Sequence, residues 1–155
     1  MIIIEGADEL GKTTLARSLG EAVHMSKPDG IPDYLNLLQP GKVHDRFHLG
    51  AMVYGMALKK HDYLPWMDFR RLHSAIAMRG WKTIVLYTEH ETWYRERLIR
   101  GKPQMFSVET VMDANRCYRE LFYDIEATCF FHVGEDRFPD VEEIKQTLAE
   151  ERCWL

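Results

Sequence analysis

Residues Gly6-Ala7-Asp8-Glu9-Leu10-Gly11-Lys12-Thr13 spell G-x-x-x-x-G-K-T, and Thr14 follows. That spacing has one physical use. A loop with glycine at both ends curls its backbone N–H groups around a di- or triphosphate, and a helix starting there adds positive partial charge. Lys12 would reach the β- and γ-phosphates, and Thr13 would offer its hydroxyl to Mg²⁺. The alternative is a glycine-rich turn that holds nothing. Against it stand the flanks: Ile2-Ile3-Ile4-Glu5 reads as a strand, and Leu15-Ala16 opens a helix, which is the context this motif requires.

Two further groups carry chemistry. Asp45-Arg46 closes a short apolar stretch. Beside a P-loop, an acid can hold Mg²⁺ through water or take a proton from an acceptor, and an arginine can grip a phosphate with two parallel hydrogen bonds. The plainer reading is a strand-end ion pair. Arg95, Arg97, Arg100 and Lys102 form a basic cluster running into Gly101 and Pro103. Arginines that close on a transferring phosphoryl group stabilise its spread charge, and a Gly/Pro break lets a helix end swing. The plainer reading is a solvated helix face with cations near its C-terminus.

These groups need elements to position them. Strands are expected at 1–5, 22–26, 42–44, 83–87 and 128–133. Helices are expected at 12–22, 49–60, 66–78, 91–100, 108–125 and 141–151, with a helical turn at 34–38. Pro65 suits a helix start, and Gly80 a helix stop. The run Thr83-Ile84-Val85-Leu86-Tyr87 is apolar on both faces, as in a covered parallel sheet. Strands alternate with helices throughout, so an α/β fold is expected: one five-stranded parallel sheet with helices on both faces. There is no internal repeat or linker, so residues 1–155 read as one domain. The loop-rich stretch 27–41 falls where a strand's carboxyl end opens onto a ligand crevice.

The bulk numbers bound the function. The chain has 155 residues, 46% of them hydrophobic and 28% charged, with a net charge of −4. Nothing global favours nucleic acid, so DNA is a permitted but not a favoured partner. No apolar run approaches a membrane span, and no leader pattern follows the first strand. Cys117, Cys129 and Cys153 are therefore expected as reduced thiols in a cytoplasmic protein. His44 and His48 flank Asp45-Arg46, but no further ligand sits at a recognisable metal spacing.

The motifs together resemble the thymidylate kinase branch of the nucleoside monophosphate kinases. That family reads E-G-x-D-x-x-G-K-T/S-T at its first turn, matched by Glu5 to Thr14. Its third strand ends D-R-Y-x-x-S-x-x-A-Y-Q, in register with Asp45 to Gly55, and its lid follows R-x-x-R-G, matched by Arg97-Leu98-Ile99-Arg100-Gly101. The resemblance implies a sheet order of 2-3-1-4-5, with Asp45 beside the P-loop. It places Asp8 toward the acceptor nucleotide, Arg46 on the acceptor phosphate, and Arg97 on the adenine of ATP. It implies a nucleotide kinase using ATP and Mg²⁺, with a nucleotide acceptor and a homodimer left open. The catalytic set is then Lys12, Asp45, Arg46, Arg97 and Arg100. The nucleotide contacts are Gly6, Ala7, Asp8, Glu9, Leu10, Gly11, Lys12, Thr13, Thr14 and Arg97. The acceptor contacts are Asp8, Lys27, Arg46 and Tyr54, and the metal pair is Thr13 with Asp45.

The departures sharpen these expectations. Glu9 stands where some members carry a P-loop arginine, so a catalytic arginine must come from a lid over 95–103. Gly50 and Gly55 replace the family's Ser and Gln. Only residues 27–42 separate the second and third strands, so the acceptor region is reduced. A deoxynucleoside monophosphate is the first acceptor to consider. A nucleoside, or a modified base within DNA, is the second. A nucleotide-binding or hydrolysing regulator is a third reading of the same P-loop.

Overall fold

The computed structural model describes residues 1–24, 31–59, 64–102, 105–121, 125 and 128–150. Five parallel strands form one sheet: β1 (Ile2–Gly6), β2 (Ala22–His24), β3 (Val43–Asp45), β4 (Lys82–Tyr87) and β5 (Thr128–His132), in the order β2-β3-β1-β4-β5. This is the order implied by the resemblance. Around it lie α1 (Lys12–Leu19), α2 (Ile31–Leu37), α3 (His48–Ala57), α4 (Trp66–Ala77), α5 (Glu91–Arg100), α6 (Val108–Glu120) and α7 (Val141–Ala149). No helix among the described residues is long and apolar enough to cross a membrane.

Strand β1 is the central strand, paired with β3 on one side and β4 on the other. Successive residues of a strand face opposite ways, and β1 shows what covers each face. Ile4 packs in the cluster that contains Leu15 and Ala16 of α1. Ile3 packs in a second cluster with Tyr34, Leu72, Ile76 and Trp81, from α2, α4 and the start of β4's approach. Helices therefore cover both faces, which is why β1 carries three consecutive isoleucines and no alternation. The register sets Ile4 opposite Asp45, so the carboxyl ends of β1 and β3 open side by side. The chain runs from β1 out to β2 and β3 on one side and then crosses over to β4 and β5 on the other, and ligands of such sheets bind in the crevice above that switch.

Element ends differ modestly from the sequence reading. Helix α1 stops at Leu19 because Gly20 turns to extended backbone. Helix α6 stops at Glu120, five residues short of the expected end. Its start follows a sequence signal: the Ser107 hydroxyl accepts from the Thr110 amide at 3.2 Å, satisfying one of the free amides of the first turn. The expectation of reduced thiols needs correction. Cys129 is disulfide-bonded, Cys117 is free, and Cys153 lies outside the described residues. Spacing along the chain carries no information on which sulfurs a fold brings together.

Candidate functional site

The P-loop connects β1 to α1, and its shape depends on three left-handed residues: Gly6 (φ 136°), Glu9 (φ 60°) and Gly11 (φ 83°). A side chain is excluded by backbone at Gly6, and at Gly11 it would have to displace the Phe138 ring. A Cβ on Gly6 would lie 2.4 Å from the Leu86 carbonyl oxygen, and one on Gly11 would lie 2.3 Å from the Phe138 ring. Ala7 and Leu10 turn inward and join the core. Lys12, only 5% exposed, curls back so that its Nζ donates to the Ala7 carbonyl. Burial pulls its pKa down to about 8, against the opposing pull of Asp45, Glu5 and Glu9.

Asp45 arrives beside the loop because β3 pairs with β1. Its Oδ2 accepts from the Thr13 hydroxyl at 2.6 Å and lies 3.9 Å from Nδ1 of His24. Its Oδ1 is buried and has no hydrogen-bond partner among the described residues. A hydroxyl beside a carboxylate with one unsatisfied oxygen fits a hard cation that takes oxygen ligands and keeps water or phosphate in its other positions. Among the described residues no three His, Cys, Asp or Glu gather to make a metal cage. His44 and His48 are engaged elsewhere. The Gln39 amide donates to His44 Nε2 at 3.1 Å, and His48 Nε2 pairs with His73 Nδ1 at 2.8 Å.

On the far side of the loop, Arg46 (φ 68°) forms an ion pair with Asp8, and its guanidinium carbon sits 5.7 Å from the Tyr54 ring centre. Tyr54 is buried beneath that arginine, and its hydroxyl has no hydrogen-bond partner among the described residues. Lys27 lies outside the described residues.

Helix α5 is tied to the P-loop at two successive carbonyls. The Tyr94 hydroxyl donates to the Asp8 carbonyl, and Arg97 Nε donates to the Glu9 carbonyl at 2.8 Å. The Arg97 guanidinium also stacks over Trp93, 5.6 Å from its ring centre. The basic cluster is therefore split. Arg95 is diverted to Glu109 of α6. Arg97 is anchored to the loop. Arg100 pairs at 3.0 Å with Glu96 on the exposed side of its own helix, where such a pair contributes little.

One cleft of about 770 Å³ collects the result. Asp8, Glu9, Gly11, Lys12, Thr13 and Thr14 line it from the loop, Asp45 and Arg46 from β3's end, and Arg97, Arg100, Gly101 and Lys102 from α5. Arg17 and His24 also line it, and the sequence reading missed both. Arg17 falls one helical turn beyond Thr13 on the same face, a spacing that could have flagged it. A second hollow of about 370 Å³ adjoins the first across Glu9, Arg97, Arg100 and Gly101, and is walled by Trp93 and Glu135.

Glu5 was also missed. It is fully buried beneath the cleft. Its Oε1 accepts from the Phe47 amide at 2.9 Å and the Leu49 amide at 3.0 Å, and its Oε2 accepts from the Gly50 amide at 3.2 Å. Burial nevertheless wins over these bonds and over the nearby Arg46 charge, and pushes its pKa up to about 7.

No known protein-family profile matches the chain, and no curated protein sequence matches it. Solved structures do. The YorR protein of Bacillus subtilis, solved in complex with phosphorylated GDP, superposes with a TM-score of 0.69 at 20% identity, over 97% of this chain and 94% of that one. The tunicamycin resistance protein of Deinococcus radiodurans aligns at 19% identity over 99% of this chain and 96% of its own, with a TM-score of only 0.39. The likeness to YorR, the sheet order and the loop geometry together show an α/β fold of the P-loop kinase-like type, with a five-stranded parallel sheet of order 2-3-1-4-5.

Proposed function

We propose that the chain is an ATP- and Mg²⁺-dependent phosphotransferase whose acceptor is a deoxynucleoside monophosphate. One observation carries this reading. The cleft has two cationic ends: Lys12 with the Thr13–Asp45 pair on the P-loop side, and Arg46 beside Asp8 on the other. A hydrolysing switch needs the first end only. A kinase needs both, so that donor and acceptor phosphates meet in line.

Each residue then has a task. The loop amides and Lys12 bind the donor phosphates, with Lys12 released from the Ala7 carbonyl to neutralise developing charge. Thr13 and Asp45 would hold Mg²⁺, which supplies charge neutralisation on the phosphate oxygens. Arg46 exchanges its Asp8 partner for the acceptor phosphate and fixes its approach. Asp8 is thereby freed toward the acceptor's sugar. Arg97 and Trp93 offer a flat surface to the donor base. Arg100, whose partner among the described residues is Glu96, turns inward over the transferring group. The proposed lid over 95–103, described as far as residue 102, then has its root at Arg97 and its tip at Arg100. Among the described residues between β2 and β3, α2 supplies only seven helical residues to an acceptor wall. That small wall favours, as a second acceptor class, a nucleoside or a modified base in DNA that brings its own surroundings.

The test is an acceptor screen with labelled ATP across nucleosides, monophosphates and DNA. Acceptor-dependent ADP release is expected with a deoxynucleoside monophosphate. Lys12→Ala should remove nearly all transfer while the fold remains, since losing such a clamp costs on the order of 3–4 kcal/mol in the transition state. A folded Lys12→Ala protein with near wild-type turnover sinks the reading, and so does ADP release that no acceptor stimulates.

A further inference from the structure

We propose that Glu5 is the positioning residue for Arg46: its carboxylate holds the 46–50 turn in the backbone shape that aims the guanidinium into the cleft. The proposal rests on the kinase reading above and adds to it a residue that never touches substrate.

The geometry is a clamp on four amides, those of residues 46, 47, 49 and 50. The Ile4 carbonyl accepts from the Arg46 amide at 2.8 Å. The next residue of β1, Glu5, takes the amides of Phe47, Leu49 and Gly50. Helix α3 starts at His48, and its N-cap residue Phe47 provides no side-chain cap. The free amides of that first turn would otherwise be buried unpaired. A carboxylate from the central strand supplies the missing acceptors, with favourable charge at the helix N-terminus. Arg46 sits immediately before this turn in the left-handed region (φ 68°), a conformation that persists in a non-glycine residue only when the surroundings impose it. Here the surroundings are β1 itself.

Gly50 belongs to the same device. A Cβ at that position would lie 3.0 Å from Glu5 Oε2 and 3.3 Å from the Tyr118 hydroxyl, so a side chain there would press the carboxylate a few tenths of an ångström out of its seat on the amides. Glu5 itself is 0% exposed and does not line the cleft, so it cannot serve as a base toward substrate. Its charge is felt by Lys12, Tyr34, Tyr54 and Tyr118, and it feels that of Arg46.

The experiment is steady-state kinetics on the full chain at pH 8, with ATP and the best deoxynucleoside monophosphate from the screen. Glu5→Gln should raise the acceptor KM about tenfold, the effect of one lost charged hydrogen bond, and leave the ATP KM within about twofold. Gly50→Ala, which moves the carboxylate without removing it, should shift the acceptor KM in the same direction by about threefold. In an Arg46→Ala background, adding Glu5→Gln should change the acceptor KM by less than about twofold, because two residues acting as one unit are not additive. Equal rises in both KM values, or full additivity with Arg46→Ala, overturn the proposal. If Glu5→Gln fails to fold, a folded Gly50→Ala with unchanged acceptor KM overturns it. If the wild-type chain binds ATP but uses no monophosphate, the kinase reading falls separately. Amide exchange then decides for Glu5: residues 46–50 should exchange at least about tenfold faster in Gly50→Ala relative to the P-loop amides. Unchanged exchange overturns the proposal.

Discussion

The buried carboxyl of Glu5 should make the stability of this protein fall as pH rises through neutrality. Burial raises its pKa from 4.5 to about 7. Between those values the unfolded chain has released the proton and the native protein still holds it. The native state then binds more protons, so unfolding free energy decreases with increasing pH. The contribution is complete below pH 4.5 and lost once pH has passed about 7. The full gap, at 1.36 kcal/mol per pH unit, amounts to about 3 kcal/mol. Between pH 5 and pH 8, where partial titration trims both ends, about 2.5 kcal/mol remains. Glu5→Gln removes this dependence and leaves the other titrating groups in place. The assay is urea unfolding of both proteins from pH 5 to pH 8, followed by tryptophan fluorescence and far-ultraviolet circular dichroism together to check two-state behaviour. The wild-type advantage over Glu5→Gln should shrink by about 2.5 kcal/mol across that range. A flat difference would mean that the three amides fully offset the burial. A difference of opposite sign would mean that they hold the carboxylate ionised, and the reasoning from desolvation would be refuted.

Three other outcomes are expected. Asp45→Asn should lower kcat about a hundredfold and shift the Mg²⁺ activation curve to higher concentration; an unchanged Mg²⁺ curve would mark the Thr13–Asp45 bond as structural. Arg97→Ala should raise the ATP KM about tenfold, since it removes both the base-facing surface and the bond to the Glu9 carbonyl, whereas Arg100→Ala should lower kcat with the ATP KM nearly unchanged. Identical kinetic signatures for the two variants would count against a lid with a fixed root. ATP should also alter tryptophan emission through Trp93, one of four tryptophans in the chain, and Trp93→Phe should abolish that signal; its survival would move the base site away from α5.

The P-loop was legible because its chemistry is local. Eight consecutive residues set the turn, and the flanking apolar strand and helix announce themselves by pattern. The contact between Thr13 and Asp45 was legible only through the resemblance, which implied that the third strand lies beside the first. What escaped notice depends on distances between elements. Glu5 read as one more strand residue, and only the packing of α3 against β1 brings three amides to its carboxylate. Arg95 stood in a run of cations, and the approach of α6 hands it to Glu109. Tyr94 gave no sign of its bond to the Asp8 carbonyl. Charge clusters read along a chain therefore overstate what reaches a site, and buried acids are understated.

The contact of Phe138 with Gly11 ties the phosphate-binding loop to the segment after β5. β4 flanks the strand that precedes the loop, and α5 holds the loop's Asp8 and Glu9 carbonyls. Eight consecutive residues spell the motif, but segments far along the chain give it its shape. A substitution at Phe138 can therefore loosen the loop while every residue of the motif stays in place.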